Sequence, residues 1–243
     1  MRVTVASYNI RKAIGLDRKR DPERIMAILR EIDADVIALQ ECDRRFGDRA
    51  SVIPRAALDD SPWRAAPISV RPLSLGWHGN ALLVRKDIAI RDAAGVPLPT
   101  LEPRGAVRAD LAIGSTRLRV VGMHLDISGL RRRQQVRSIL THVAGCGADS
   151  PTVLLGDLND WSRNGRALRE FGEEWRIVAA GRSFPASRPI APLDRIVVSA
   201  RWRVETCGVH HSALAARASD HLPVWARLTL ADPQPPARPA PAH

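Results

Sequence analysis

Cysteine is scarce in this chain of 243 residues: the three that occur, Cys42, Cys146 and Cys207, are odd in number and widely spaced. Their spacing matches neither a disulfide framework nor a zinc site. Long apolar runs are absent too, since no run approaches the roughly 18 apolar residues that a membrane span needs. The N-terminal segment alternates like a strand, and its apolar stretch is too short for an export signal. We therefore expect a cytoplasmic protein without stable membrane insertion.

Aromatic residues make up only 4% of the chain, with six tryptophans and a single tyrosine, Tyr8. Few aromatic faces are therefore available for stacking on nucleic-acid bases. Basic residues are in excess instead: 37 lysines and arginines against 26 acidic residues give a formal net charge of +11. Because the guanidinium group binds phosphate bidentately, this excess favours a phosphorylated or polyanionic partner. An arginine-rich surface without such a partner explains the same excess.

The patterning predicts one globular, monomeric domain over residues 1–230, followed by a disordered Pro/Ala-rich tail over residues 231–243. The sequence Asp21-Pro22-Glu23 is typical of a helix start, with an N-cap, a proline in the first turn and an acid for the dipole. Further helices are predicted over 130–144 and near 164–171. Strands are predicted over 2–9, 35–40, 63–67, 81–84, 88–90, 107–113, 118–125, 152–155, 193–199, 202–209 and 222–230.

Three polar side chains follow one of these strands directly. The apolar run Thr152–Leu155 predicts a buried strand that stops at Gly156, and Asp157, Asn159 and Asp160 come next. Ligands bind at this edge in open α/β sheets. Asp157 and Asn159 are two positions apart, so in an extended chain they point the same way and together could hold a metal-bound water or a phosphate oxygen. The alternative is an Asx-type turn, and Asp160 is a turn residue in either case.

Other polar groups also fall where predicted strands begin or end. They are Asn9, Glu41, the His78–Asn80 turn, His124, Asp157, Asn159, Asp194, Asp220 and His221. Each has a purely structural explanation: a histidine whose hydrogen bonds are made within the fold, a cap or a turn. If four of the carboxylates converge, however, two charges 4 Å apart repel by about 4 kcal/mol at an effective dielectric near 20. A divalent cation would neutralise such a group, and oxygen-rich ligands favour Mg²⁺ or Mn²⁺ over zinc.

The short motifs that contain these residues resemble those of a known superfamily. The motifs occur in the order Ser7-Tyr8-Asn9-Ile10, Leu39-Gln40-Glu41, His78-Gly79-Asn80-Ala81-Leu82-Leu83, His124-Leu125-Asp126, Gly156-Asp157-Leu158-Asn159-Asp160, Leu193-Asp194-Arg195-Ile196 and Ser219-Asp220-His221-Leu222-Pro223-Val224. In this order the chain resembles the endonuclease/exonuclease/phosphatase superfamily, which includes deoxyribonucleases, AP endonucleases, neutral sphingomyelinases and inositol polyphosphate 5-phosphatases. The resemblance implies an α/β fold of the four-layered αββα type, with two mixed sheets packed face to face and helices outside.

The resemblance also implies a metal site and a water site. Glu41 would be the principal metal ligand, with Asn9 and Asp220 near the same ion. Asp157 and Asn159 would position or activate the attacking water. Whether one or two metal ions take part stays open.

The remaining roles concern the phosphate group and the general base. His221 would act as general base or phosphate-oxygen partner, oriented by Asp194, and the choice of base between Asp157 and His221 stays open. His124 would donate to the scissile phosphate and stabilise its developing charge. Asn80 would lie on the phosphate side or support that side from behind. The role of Arg104, in a recurrent family segment, is left open.

The chain departs from one branch of the superfamily. AP endonucleases place a tyrosine near the phosphate where this chain offers His124, which favours the other branches. The resemblance implies a divalent-metal-dependent phosphodiesterase that hydrolyses a P–O bond by in-line attack of water. Nucleic acid, DNA first, is the expected substrate, since the net charge and Arg131–Arg133 favour polyanions. Phospholipids and sugar or inositol phosphates are the alternatives. A non-catalytic anion-binding module on the same fold is a further alternative.

Overall fold

The computed structural model describes residues 1–69, 71–100, 104–147, 150–162 and 165–230. The strands are β1 (Arg2–Asn9), β2 (Val36–Gln40), β3 (Trp63–Ala65), β4 (Ala81–Arg85), β5 (Ala89–Val96), β6 (Gly105–Ile113), β7 (Thr116–His124), β8 (Thr152–Asp157), β9 (Trp175–Val178), β10 (Asp194–Ser199), β11 (Trp202–Val209) and β12 (Val224–Leu230). The helices are α1 (Pro22–Ile32), α2 (Arg55–Asp59), α3 (Gly129–Gly145), α4 (Arg166–Arg169) and α5 (Ala215–Ala218). The tail predicted over 231–243 lies outside the described residues. None of the helices in the described ranges is long and apolar enough to cross a membrane.

The strands form two six-stranded sheets. The first has the order β11-β12-β1-β2-β4-β3 and the second the order β5-β6-β7-β8-β10-β9. Each sheet is mixed, since β1 and β2 are parallel in the first and β7 and β8 are parallel in the second, while the neighbouring pairs are antiparallel. A parallel pair needs a crossover connection, and here α1 and α3 provide it.

Three apolar layers hold the sheets and helices together. Between the sheets, Val5 of β1 belongs to the same buried cluster as Val120 of β7. On the outer face of the first sheet, strand residues cluster with Ile28 of α1. On the outer face of the second sheet, Leu154 of β8 clusters with Val136 of α3. The layers therefore run helix, sheet, sheet, helix, and the predicted αββα sandwich is confirmed.

Helix α1 begins as its sequence predicts. The side chain of Asp21 accepts a hydrogen bond of 3.2 Å from the backbone N–H of Arg24, Pro22 occupies the first turn, and the helix ends at Asp33 in a left-handed conformation. Its buried face consists of Ile25, Met26, Ile28 and Leu29. Burying each of these side chains is worth about 1.5–3 kcal/mol of transfer free energy. This packing fixes β1 and β2 side by side.

Some elements differ from the sequence prediction. Strand β5 runs over Ala89–Val96 rather than 88–90, because its alanine- and glycine-rich second half has little strand propensity and forms through pairing with β6. Strand β9 and helix α5 were not predicted. Strand β9 is a four-residue edge strand paired with β10, and such a short segment carries no readable period. Helix α4 spans Arg166–Arg169, shorter than the predicted helix.

Strand register aligns three polar residues at one edge of the second sheet. His124 at the end of β7 lies beside Asp157 at the end of β8, and Asp157 lies beside Asp194 at the start of β10. Strands β7 and β8 approach closely here, since a Cβ added at Gly156 would lie 1.8 Å from the carbonyl oxygen of Met123. The glycine before Asp157 is therefore a packing requirement of this edge.

Candidate active site

The carboxylate of Asp157, at the end of β8, contacts side chains from both sheets. Its Oδ2 accepts a hydrogen bond of 2.9 Å from Nδ2 of Asn9, which ends β1 of the opposite sheet. The Nε2 atoms of His124 and His221 lie 3.4 Å and 3.8 Å from the same oxygen. Asp157 is 1% exposed, so these contacts lie in a low-dielectric environment. The structure thus brings together four of the predicted site residues.

Asn159 belongs to this site, although not for the reason that the sequence predicts. The prediction of an extended chain from Asp157 to Asn159 is wrong: Asn159 has a φ of 51°, and its backbone N–H donates to Oδ1 of Asp157 over 2.9 Å. This is the Asx-type turn that was the alternative. The side chain of Asn159 then donates from Nδ2 to the carbonyl oxygen of Leu125, next to His124, over 2.9 Å. Asp160 accepts from the backbone N–H of Ser162 and is a turn residue, as predicted.

His221 and Asp194 form a buried acid–histidine pair. Nδ1 of His221 lies 2.8 Å from Oδ2 of Asp194, and the hydroxyl of Ser183 donates to the same oxygen over 2.5 Å. Burial opposes the protonation of His221, but the carboxylate of Asp194, and after it those of Asp157 and Asp220, outweigh burial and raise the pKa of His221 to about 10. The hydrogen bond at Nδ1 fixes the ring and directs Nε2 towards Asp157.

One ligand-like atom from each of Asp157, Asp194 and His221 lies within 4.8 Å of the others. This grouping differs from the predicted metal ligands. Because Nδ1 of His221 is already bonded to Asp194, we interpret these residues as an acid–histidine pair facing a carboxylate and not as a metal centre.

His124 is paired with Arg104. Nη1 of Arg104 contacts Nε2 of His124 and also donates to the carbonyl oxygen of Leu125 over 2.8 Å. Burial lowers the pKa of His124 to about 4; the carboxylate of Asp157 opposes this shift, and Arg104 adds to it. His124 is therefore neutral near pH 7, and its Nε2 can accept a hydrogen bond from the guanidinium group. The positive charge on this side of the site belongs to Arg104.

The predicted metal ligands face basic residues of the loop after β1. Glu41 follows β2 and contacts the ammonium group of Lys12, and Asp220 lies 3.3 Å from Nε of Arg11. Burial alone would raise the pKa of Glu41, but the hydrogen bond from Lys12 and the nearby positive charges lower it. Glu41 is thus an anion at neutral pH. Two carboxylates and the amide of Asn9 are hard oxygen donors, so this donor set fits Mg²⁺ or Mn²⁺.

Asn80 lies in the turn that packs against the Glu41–Cys42 segment. It is fully buried, and its Nδ2 donates to the carbonyl oxygens of Trp77 and His78 over 3.3 Å and 3.4 Å. Its Oδ1 has no hydrogen-bond partner among the described residues. The backbone N–H of Cys42, next to Glu41, donates to the carbonyl oxygen of Gly79 over 3.0 Å. This geometry favours support of the Glu41 loop over direct contact with phosphate.

Sequence reasoning missed several residues of the site. Lys12 and Arg11 lie in a loop whose basic character is visible in the sequence, but nothing local indicates which carboxylates they meet. Ser183 and Phe184 have no local signal. Phe184 packs on the His221 ring with a centroid distance of 4.9 Å, and the exposed ring of Trp161 contacts Phe184 at 5.7 Å. An aromatic face therefore extends outward from His221.

Two arginines of the run Arg131–Arg133, which the sequence suggests for polyanion binding, make contacts within the fold. Arg132 donates to the carbonyl oxygen of Ile127 over 2.6 Å, and Nε of Arg133 lies 2.8 Å from the carboxylate of Glu170. Tyr8 is also internal: it is fully buried on the α1 side of β1, and its hydroxyl has no hydrogen-bond partner among the described residues. Tyr8 therefore cannot contact a phosphate from where it lies.

A model of the Endonuclease/Exonuclease/phosphatase family matches residues 6–221. No curated protein matches the chain.

Three solved structures are similar over nearly the whole chain. The endonuclease/exonuclease/phosphatase from Bacteroides vulgatus is 19% identical with a TM-score of 0.75, covering 95% of this chain and 100% of that one. TDP2 of D. rerio, complexed with a single strand DNA product, is 15% identical with a TM-score of 0.73, covering 94% and 99%. The Bacteroides thetaiotaomicron mannosyl-6-phosphatase Bt3783 is 20% identical with a TM-score of 0.73, covering 94% and 100%. At these identities the likeness establishes the fold alone.

Proposed function

The chain belongs to the endonuclease/exonuclease/phosphatase family, and we propose that it is a divalent-metal-dependent phosphodiesterase that hydrolyses a P–O bond by in-line attack of water. One observation carries the proposal. The carboxylate of Asp157 faces Asn9, His124 and His221 in a buried site, and Asp194 holds His221 by a hydrogen bond of 2.8 Å. Burying so many charged groups and oriented donors costs free energy of folding. Groups with shifted pKa values of this kind cluster at functional sites.

In this reaction the oxygen of a water molecule bonds to phosphorus while the bond from phosphorus to the leaving oxygen breaks. If Asp157 takes the proton of the water, the imidazolium of His221 can give a proton to the leaving oxygen; if His221 is the base, it acts from its neutral form and solvent protonates the leaving oxygen. Both oxygens of Asp157 already accept N–H groups, which weakens it as a base, whereas the raised pKa of His221 makes the ring a proton donor at neutral pH through Nε2, the nitrogen that the bond to Asp194 leaves free. Glu41, Asn9 and Asp220 would hold the divalent cation, which supplies Lewis-acid polarisation when it is bound.

Arg104 is the candidate for the group that stabilises charge on the phosphate. The guanidinium group is held by its contacts to His124 and to the carbonyl oxygen of Leu125. Because His124 is neutral and accepts from Arg104, we assign the electrostatic role to Arg104 and a positioning role to His124. Asn159, anchored to the same carbonyl oxygen, would contact the phosphate or the attacking water.

Nucleic acid remains the first substrate candidate, and the aromatic face is the observation that favours it. Trp161 is 59% exposed and continues the Phe184–His221 contact, so a base beside the scissile phosphate would find a ring to stack on. A small phosphate ester is the second candidate. The mannosyl-6-phosphatase neighbour and the internal use of Arg132 and Arg133 favour it. Phospholipids, a monomeric state and a cytoplasmic location remain proposals without such support.

A substrate panel with Mg²⁺ or Mn²⁺ tests the activity. It should contain single-stranded DNA, plasmid DNA, RNA, phospholipid vesicles and sugar or inositol phosphates, each assayed with and without EDTA. We expect hydrolysis of at least one class, loss of it with EDTA and recovery with either cation.

Asp157→Asn and His221→Asn should each lower kcat by about 10²- to 10⁴-fold. The matched controls are Asp60→Asn and His211→Asn at exposed positions. Activity that survives chelation would overturn the metal assignment, and equal activity in the variants and controls would overturn the site. Binding of phosphate esters without hydrolysis of any would indicate the non-catalytic module instead.

The general base is identified by varying the leaving group. A 4-nitrophenyl ester needs no proton on its leaving oxygen, whereas an alkyl ester does. If Asp157 is the base and His221 protonates the leaving oxygen, the loss caused by His221→Asn should shrink by about tenfold or more with the 4-nitrophenyl ester. The loss caused by Asp157→Asn should not shrink. A loss from His221→Asn that is the same for both esters would assign the base to His221.

A further inference from the structure

An unusually basic cleft adjoins the proposed catalytic site on the side of Glu41 and His124. Its walls carry five cationic side chains, from Lys12, Arg44, Arg45, Arg49 and Arg104, against the two carboxylates of Glu41 and Asp43. The cleft is open to solvent and has a cavity volume of about 90 Å³. It can therefore receive a phosphate group from solvent, while the rest of the molecule that carries the group stays outside the cleft.

Three of the arginines belong to one hairpin, residues 43–51, which follows Glu41 directly. The hairpin is ordered by its backbone: Asp43 and Ser51 form a β-bridge, the N–H of Arg44 donates to the carbonyl oxygen of Ala50 over 2.9 Å, and the N–H of Val52 donates to that of Cys42 over 2.9 Å. Arg44 and Arg45 are exposed on this frame. Their charges therefore lie beside the catalytic site without a large cost in chain entropy on binding.

The two acidic residues of the hairpin, Asp43 and Asp48, form no ion pair with Arg44 or Arg49 among the described residues, and Asp48 is exposed to solvent. Asp43 is buried, and its Oδ1 accepts a hydrogen bond of 2.7 Å from the backbone N–H of Leu75. Arg49 is half-buried, and its Nη1 lies 2.9 Å from Nδ1 of His78. His78 is a neutral partner near pH 7, since burial and the charge of Arg49 lower its pKa. Arg44 and Arg49 thus keep positive charges that an anion can approach.

Two arginines of this cleft, Arg44 and Arg49, have no role at the scissile phosphate in the proposed function. The scissile phosphate is served in the proposed function by Arg104, and Lys12 is bound to Glu41. Arg44 and Arg49 come from a separate segment and make no hydrogen bond or ion pair with His124, Asp157 or His221 among the described residues. We propose that Arg44 and Arg49 form a second anion subsite, which binds a phosphate group that the substrate carries beside the one that is hydrolysed.

This inference rests on the proposed function, because it presumes that the neighbouring site binds a phosphate ester. The second phosphate has two sources: the next phosphodiester of a polynucleotide, or a second phosphate group of a small molecule. Both present the same chemistry to a guanidinium group. They predict different substrate preferences.

Binding measured by calorimetry in EDTA tests the subsite without turnover. The probes are the dinucleotides TpT and pTpT, which carry one and two phosphates, and a hexose monophosphate and bisphosphate. We expect the protein to prefer the two-phosphate member of one pair by about tenfold in Kd, as a charge-assisted contact gives. The variant Arg44→Ala/Arg49→Ala should abolish that preference. Arg44→Lys/Arg49→Lys, which keeps the charge and loses the bidentate geometry, should retain part of it.

The matched control is Arg30→Ala/Arg203→Ala, which removes the same charge at exposed positions of α1 and β11. It should keep the preference, and all variants should unfold at the temperature of the wild type. A preference for pTpT assigns the second phosphate to a polynucleotide, and a preference for the bisphosphate assigns it to a small molecule. Equal affinity within both pairs, or the same loss in the control, would overturn the subsite. Failure of the proposed function is a separate result: no hydrolysis of any ester with Mg²⁺ or Mn²⁺, whatever the binding preference.

Discussion

Acid should destabilise the metal-free protein through His124. The ordinary pKa of an imidazole is about 6.5, and burial lowers that of His124 to about 4 in the folded chain. Between these two values the unfolded chain binds a proton that the folded chain excludes, so the stabilisation is fully present above pH 6.5 and is lost as the pH falls towards 4. Linkage of the two pKa values gives a loss of about 1 kcal/mol at pH 6, about 2 at pH 5 and about 3 at pH 4.

The contribution of His124 is isolated by comparison with His124→Asn, which retains a polar side chain that does not titrate. Urea unfolding followed by tryptophan fluorescence, in EDTA, gives the free energy of unfolding of both proteins at each pH. We expect the difference between them to change by about 3 kcal/mol from pH 7 to pH 4. The contribution of His221, whose pKa is raised to about 10, is nearly constant below pH 6, where both chain states are protonated, and above pH 6 it is common to the two proteins compared. Parallel curves for the two proteins would refute the burial of a neutral His124.

Three further changes test the fold and the site. Tyr8→Phe removes a buried hydroxyl that has no partner among the described residues, so the free energy of unfolding should rise by about 1 kcal/mol; a fall of that size would contradict the packing around β1. Gly156→Ala places a Cβ against the carbonyl oxygen of Met123 and should cost about 3 kcal/mol or more, whereas an unchanged urea midpoint would contradict the close approach of β7 and β8. Asp194→Asn should lower kcat by about 10²-fold or more with an unchanged far-UV spectrum, since His221 loses the carboxylate charge beside Nδ1; full activity would show that the pair is structural.

The sequence predicts the components of the site better than their arrangement. Asn9, His124 and Asp157 end strands and Asp194 begins one, as their patterns indicate, because a change from apolar alternation to a polar residue is a local signal. Their contacts depend on register. His124 lies beside Asp157, and Asp157 beside Asp194, only through pairings between strands that are far apart in sequence. The resemblance supplied that information, and the hydrophobic pattern did not.

The turn after Asp157 illustrates where local reasoning fails. An extended chain and an Asx turn both suit the sequence Asp157-Leu158-Asn159, and the turn forms because Asn159 tolerates a positive φ and its side chain reaches the carbonyl oxygen of Leu125. Arg104 is a second case. Its guanidinium group meets His124 because β6 pairs with β7, which brings two segments 20 positions apart into contact. Neither contact has a signature in its own segment.

Two histidines beside one carboxylate have different protonation states at neutral pH. His124 and His221 both approach Oδ2 of Asp157, yet the pKa of the first is about 4 and that of the second about 10. Both are buried, so burial alone does not separate them. The difference lies in their second partners: His124 meets the guanidinium group of Arg104, whereas His221 meets the carboxylate of Asp194. The neutral ring of His124 thus lies beside the cation of Arg104, and the imidazolium of His221 lies beside the carboxylate of Asp194. A hydrogen-bond acceptor and a proton donor therefore lie on either side of Asp157 before any substrate binds.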